Sequence, residues 1–466
     1  MTFNKKQLER LLEITLERGG DFAEIYEEKK SVNLCSMEEK KIEDVSSGTV
    51  GGVGVRLIAN DQTYYAYTSE FSYEAVENCA KAVAQTQKGK GPVNKIKLDE
   101  INVIQKKDTL IDPEDVEMDE KIELIRKADS YCWSRDERII QVKVVYGDVT
   151  QNVVIANSEG VYVQDKRVRT KLIVQIVAQD EDGNIQSGYD AIGASTGFEF
   201  MRSNNPEKVA EQALRRVQLL LSASPAPAGK MTVVMSSEAG GTMVHEACGH
   251  GLEADLVEKG LSVYGGKIGE LVASPLVTVI DDGTMENRYG SATYDDEGAP
   301  CQKNILIENG ILKKYMTDRL SAKKMGAEPS GNGRRESYKH KPVTRMTNTY
   351  IAPGPHDPEE IVKEVEYGFF ARKMGGGQVN TATGDFVFEV SEGYMIENGK
   401  IGRPVKGATL TGNGPEVLMK IDRVGNDLGY SIGTCGKDGQ GVSVADAQPT
   451  IRIPELIVGG VVEEEE

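Results

Sequence analysis

Histidine is scarce here, with four residues in 466, and tryptophan occurs once. No run of about 18 apolar residues occurs, which argues against a membrane-spanning helix. Lysine and arginine total 55 against 73 acidic residues, a formal net charge of -18. That balance disfavours nucleic acid or an anionic membrane as the main partner, because phosphate binding relies on clustered Lys and Arg. The six cysteines, at 35, 79, 132, 248, 301 and 435, have no compact framework spacing, so reduced thiols are expected, five of them small core residues. No apolar signal core follows Met1, so the expected location is cytoplasmic.

Against that scarcity, two of the four histidines fall in one stretch, Thr242-Met243-Val244-His245-Glu246-Ala247-Cys248-Gly249-His250-Gly251-Leu252-Glu253. Zinc proteases use H-E-x-x-H, whose histidines are about 40° apart around a helix and reach one ion. One extra residue here puts His245 and His250 about 140° apart on an ideal helix, too divergent to share a metal. A single-turn π-bulge, or a helix that ends and bends, would restore a common face. Gly249 and Gly251 flank His250 and are expected to relax the backbone there.

Catalytic zinc usually takes three protein ligands, so a third must come from elsewhere, as thiolate or carboxylate. Cys435, in Gly433-Thr434-Cys435-Gly436-Lys437-Asp438-Gly439, has the right character: glycines allow close approach, and Lys437 would favour the thiolate. Nothing in the spacing brings residues 245 and 435 together. Cys248, about 60° from His245 on a helix, is a rival thiol whose simpler reading is a packing residue.

Five blocks, His245 to Glu253, Gly331 to Tyr338, Arg345 to Thr349, Gly375 to Val379 and Cys435 to Gln440, closely resemble the TldD/PmbA family on its TldD side. The resemblance is dense from about residue 231 to 460. It implies a zinc metallopeptidase with Zn2+ held by His245, His250 and Cys435, and with Glu246 as the catalytic carboxylate. It further implies short or unfolded polypeptides as substrates and a homologous subunit as partner, in a homodimer or in a heterodimer with a PmbA-like chain.

The fold expected is α+β in two domains: a helix-plus-antiparallel-sheet domain over 1–222, a linker at 223–229, a strand-rich metallopeptidase domain over 230–460 and an acidic, disordered tail at 461–466. Helices are expected at 5–18 (capped by Asn4), 73–84, 119–133, 206–221, 318–325 and 358–365. Short strands are expected at 22–28, 31–37, 51–58, 63–68, 142–148, 151–158, 161–168 and 171–180, with Asn60-Asp61 as a hairpin turn. Later strands are expected at 231–236, 276–280, 305–307, 311–315, 385–390, 408–410 and 451–457, while the glycines at 375–377 and 433–441 read as loops.

Two imidazoles and a thiolate would leave zinc one position for a water, whose proton Glu246 would take and pass to the leaving amine. Glu253 and Asp255 could orient a histidine. Arg334, Arg335, Tyr338, His340 and Arg345 form a polar cluster in which Arg334, Tyr338, His340 and Arg345 are candidates to bind substrate; the alternative is a salt-bridged supporting loop. His356, between prolines, reads as a surface turn. Two rival functions are a metal-stabilised binding or assembly module and a zinc amidase acting on small molecules.

Overall fold

The computed structural model describes residues 2–91, 95–100 and 109–460, so the acidic tail lies outside the described residues. The first helix, α1 (Lys5–Thr15), starts where Asn4 accepts from the Gln7 N–H at 3.1 Å and the Gln7 side chain accepts from the Asn4 N–H at 3.0 Å. It buries Leu8, Leu11 and Leu12. After it come β1 (Phe22–Glu38), β2 (Lys41–Ala59), β3 (Gln62–Thr68), α2 (Tyr73–Ala84), α3 (Met118–Trp133), β4 (Ile139–Asn157), β5 (Val161–Gln179), β6 (Ile185–Ala194) and α4 (Pro206–Ser222).

These strands form an antiparallel sheet in the order β3-β2-β1-β4-β5-β6. Asn60 and Asp61, at φ 51° and 58°, make the expected two-residue hairpin between β2 and β3. The short strands expected at 22–28 and 31–37 are one strand, as are the pairs within 142–158 and within 161–180. Polar residues such as Lys29, Lys30 and Gln151 interrupt the apolar alternation, but β1 is hydrogen-bonded on both edges, to β2 and β4, so its backbone pairing runs through them. Strand β6 has no counterpart among the expected elements: its glycines and charges mask the pattern, and Gly188 lies against α4, where a Cβ would meet the Ala213 carbonyl at 2.1 Å.

The second half holds β7 (Gly229–Met235), β8 (Val279–Asp282), β9 (Lys303–Glu308), β10 (Asn348–Ile351), β11 (Tyr367–Val379), β12 (Asp385–Glu397), β13 (Thr409–Asn413), β14 (Gly429–Lys437), β15 (Gln440–Gln448) and β16 (Ile451–Gly459). Pairings β11-β7-β16-β13-β12, with β12 returning to β11, close a barrel. Phe386, Phe388 and Val390 of β12 alternate with exposed Asp385, Val387 and Glu389, the half-buried face that their spacing predicts. A second sheet runs β9-β8-β10-β15-β14, leaving β14 at its end. The chain is therefore α+β, with mixed helix and strand in a multi-domain architecture.

Both glycine-rich stretches expected as loops are strands. Residues 375–377 belong to β11, where the register shifts between Met374 and Gly377. Residues 433–441 form the β14–β15 hairpin, whose turn is Asp438 and Gly439 at φ 51° and 71°. Glycine lacks the side chain that carries a strand's periodicity, so the pairing is silent in the sequence.

Buried ion pairs join the two halves. Arg335 bonds Glu24 on β1, Arg167 on β5 bonds Asp296, and Arg56 on β2 bonds Glu297. All six side chains are nearly or wholly inaccessible. No described helix is long and apolar enough to cross a membrane.

Candidate metal centre

The stretch that carries the histidines starts with a sharp turn: Gly240 and Gly241 stand at φ 84° and 81°. A Cβ on Gly241 would lie 2.3 Å from the Ala447 backbone nitrogen, so β15 can approach only a glycine. Thr242–Val244 is α-helical, and the next turn is wound as a π-helix over His245–Gly249, closed by the His250 N–H donating to the His245 carbonyl. The winding absorbs the extra residue of the motif. The two imidazoles meet edge to face with ring centres 4.9 Å apart. Gly249 serves by its smallness, because a Cβ there would lie 2.3 Å from Met346 Sδ, and its φ of -51° is an ordinary helical value.

Cys435 comes from β14. Its sulfur lies 3.3 Å from His245 Nε2 and 3.4 Å from His250 Nε2, and the three ligand atoms lie within 4.8 Å of one another. Across a tetrahedral zinc, nitrogen and sulfur stand about 3.5 Å apart, so this donor set fits that ion. The strand alternation puts Lys437 on the same side as Cys435, yet its amine bonds Glu253 Oε2 at 2.9 Å, Asp255 Oδ1 at 2.6 Å and the Thr344 carbonyl at 3.0 Å. The lysine ties the hairpin to the histidine segment and does not touch the thiol.

Each imidazole is held from behind. His245 Nδ1 faces Asp446 Oδ1 at 2.7 Å, and His250 Nδ1 faces Glu253 Oε2 at 3.1 Å. Burial works against charging either ring, but Asp446 and Cys435 raise the pKa of His245 well above its usual value, and Glu253 and Cys435 raise that of His250 to about 9. For Cys435 burial is again opposed, here by hydrogen bonds from both imidazoles and by their charge, and the thiol falls to about 5. These shifts favour a thiolate beside protonated rings, each of which must shed its proton to bind a metal. Asp446 was not among the residues singled out in the sequence; a lone carboxylate within Val442-Ser443-Val444-Ala445-Asp446-Ala447 was the available signal.

Glu246 lines the open side. Burial raises its pKa, the histidines pull it down, and no hydrogen bond occupies its carboxylate. The cleft in front measures about 520 Å³ and is lined by His245, Glu246, His250, Gln378, Thr434 and Cys435 among others.

The remaining candidates stand away from that lining. Cys248 is wholly buried, donates to the Val244 carbonyl at 3.3 Å, and burial pushes its thiol up to about 12, so it is a packing residue. Asp255 reaches Lys437 and bonds neither ring. Arg334 donates to the Met346 and Ser443 carbonyls, and fully buried Arg345 to those of Cys435 and Gln440, bracing the hairpin that carries the thiolate. Tyr338 packs edge-on to Tyr67 at 6.0 Å between the halves, and His340 faces the Ser337 hydroxyl at 3.1 Å. None of these four borders the cleft. His356 is half-buried, with Nδ1 accepting from the Val424 N–H at 3.1 Å, and is not a bare surface turn.

Three family models match along the chain: PmbA/TldA metallopeptidase domain 1 over residues 23–86, the central domain over 111–221 and the C-terminal domain over 228–460. A metalloprotease TldD homologue from Haemophilus influenzae is 38% identical over 97% of this chain and 95% of its own length. A zinc metalloprotease TldD homologue from Saccharolobus solfataricus is 29% identical over 96% and 98%. A solved structure from Thermotoga maritima, described as a proposed modulator of a DNA gyrase, is 25% identical and aligns with a TM-score of 0.79 over 97% of this chain and 99% of its own.

Proposed function

Because this chain belongs to the PmbA/TldD metallopeptidase family, we propose that it is a zinc-dependent peptidase hydrolysing short or unfolded polypeptides. The observation that carries this reading is the convergence of His245, His250 and Cys435 at the floor of an open cleft, with the unbonded carboxylate of Glu246 beside them. Zinc held by these three residues would supply a Lewis acid and lower the pKa of a water toward about 7. Glu246 would serve as the general base for the attacking water and would pass the proton to the departing amine, a task suited to a carboxylate whose pKa burial has raised. Asp446 and Glu253 keep both Nε2 atoms turned to the Cys435 sulfur, where they would hold the metal, and Arg345 and Lys437 hold the thiolate strand against them.

Strand β14 ends its sheet, so its outer edge offers backbone groups to an extended chain lying alongside Cys435. Main-chain pairing of that kind tolerates any sequence but requires an unfolded segment. A metal used only for assembly would need a fourth protein ligand. Cys248 points to Val244 and Glu253 to the far nitrogen of His250, so neither supplies it. The expected working form is cytoplasmic and paired with a homologous subunit, which sedimentation of the purified chain, alone and with a co-expressed homologue, tests.

The deciding experiment compares digestion of one polypeptide in folded and unfolded states by the zinc-loaded protein. Cleavage of the unfolded state alone is expected; equal cleavage of both, or of neither, defeats the reading.

A further inference from the structure

Beyond the cleft lining, on two strands that border the cleft, lies a charged cluster that the reaction does not use. Strand β11 reaches the cleft at Gln378 and Val379, and β14 reaches it from Gly433 to Lys437. Upstream on both strands, Lys373 and Ser431 meet at Gly240, two residues before the cleft-lining Thr242. A Cβ on Gly240 would lie 2.6 Å from Ser431 Oγ and 3.5 Å from Lys373 Nζ.

Around Lys373 the charges do not balance. Glu392 is bonded by Arg215 at 2.6 and 2.7 Å and by Arg216 at 3.3 Å, Asp190 by Arg216 at 2.7 Å, and Glu238 by Arg372 at 2.8 and 3.1 Å. Every carboxylate in the group is committed to an arginine. Lys373 is half-buried, and its amine makes neither a hydrogen bond nor an ion pair. The ammonium keeps access to solvent, so an incoming anion can reach it, and the surplus positive charge around it favours one. Burial, and then Arg216, lower its pKa, against the opposing pull of Asp190, Glu238 and Glu392.

We propose that Lys373 receives a substrate carboxylate, so that the C-terminal side of an extended peptide runs from the metal centre toward Lys373. This rests on the peptidase reading and specifies the substrate's polarity and one of its groups. Ser431 and Cys435 are four residues apart on β14, about 13 Å at strand rise. The carboxylate therefore lies three or four residues beyond the scissile bond. The ammonium repels an α-amino group, which fixes the direction, and the peptide then lies antiparallel to β14. The carboxylate is either the chain's own terminus or an acidic side chain at that position.

Three peptides identical up to their last residue test the proposal: a free acid, the corresponding amide, and an amide with glutamate in the final position. The zinc-loaded protein is expected to favour the free acid over the plain amide by about 10-fold or more in kcat/KM, expressed in KM. Equal use of the glutamyl amide assigns the site to an acidic side chain; preference for the free acid alone assigns it to the terminus. In Lys373→Met the ratio falls to about one, in Lys373→Arg it persists, and in Lys373→Glu it inverts in favour of an amide ending in lysine. A native enzyme that ignores the carboxylate, or a Met variant that still prefers it, overturns the proposal and leaves the peptidase reading standing. Calorimetric binding of the same peptides to Glu246→Gln protein reads the preference without turnover. Retained preference there, with the native zinc-loaded protein cleaving none of the three peptides, would sink the peptidase reading alone.

Discussion

His245 Nδ1 lies 2.7 Å from Asp446 Oδ1 while its Nε2 faces Cys435 Sγ at 3.3 Å, so one carboxylate on β15 fixes which face of the imidazole is offered to a metal. Replacing such a carboxylate typically costs metal affinity 10- to 100-fold. Asp446→Asn is expected to weaken zinc binding by about that factor, read by competition with a chromophoric chelator. An unchanged affinity would mean that the ring is oriented by packing alone.

Glu246 borders the cleft without bonding any of the three ligand atoms. Glu246→Gln should therefore keep its zinc, measured by elemental analysis, while peptide hydrolysis drops by about 10²- to 10⁴-fold. A variant that loses metal together with activity would show that the carboxylate helps to build the site.

The thiols differ widely. Cys435 titrates at about 5, whereas burial pushes Cys35 up to about 11 and Cys132 and Cys248 up to about 12. The thiolate is the reactive form. In chelator-treated protein at neutral pH, iodoacetamide should modify Cys435 first, at a rate that is flat above about pH 6 and falls as pH drops through about 5. Peptide mapping identifies the labelled residue, and reloading with zinc should protect it. The raised pKa of His250, about 9, adds a second trend with its own sign: the ring must shed a proton to bind metal, so apparent affinity climbs as pH rises toward 9.

Lys437 holds Glu253 and Asp255 together, and both carboxylates are buried. Lys437→Met leaves two like charges facing each other, a loss of about 3–5 kcal/mol in urea unfolding. Adding Glu253→Gln should return part of that loss, because the second change removes one of the stranded charges. Additive losses would place the lysine's contribution elsewhere.

The motif was legible because its chemistry is local. Histidine's rarity marked His245 and His250, and counting residues per turn showed that a regular helix could not serve, which left the π-turn among the remedies. The alternating Phe386, Phe388 and Val390 and the cap at Asn4 could be read for the same reason, since each is written in consecutive residues. The hairpin at 429–448 could not, because glycine carries no periodicity and β14 is defined by its partner strand. The role of Asp446 was equally hidden, and Lys437, expected to favour the thiolate, binds Glu253 and Asp255 instead, since an isolated Asp or Lys in a strand does not announce its neighbours.

What the amino-acid order settled by itself was the inventory: two imidazoles at a spacing that demands irregular winding, a carboxylate between them, and a cysteine framed by glycine. Tertiary structure alone decided which sulfur meets those rings, which acids stand behind them, and which cations brace a backbone instead of facing the cleft. Those choices depend on contacts such as Cys435 with His245, 190 residues apart. Periodicity extends only over a few turns of one element, whereas a pairing across that separation is selected by the whole folded chain.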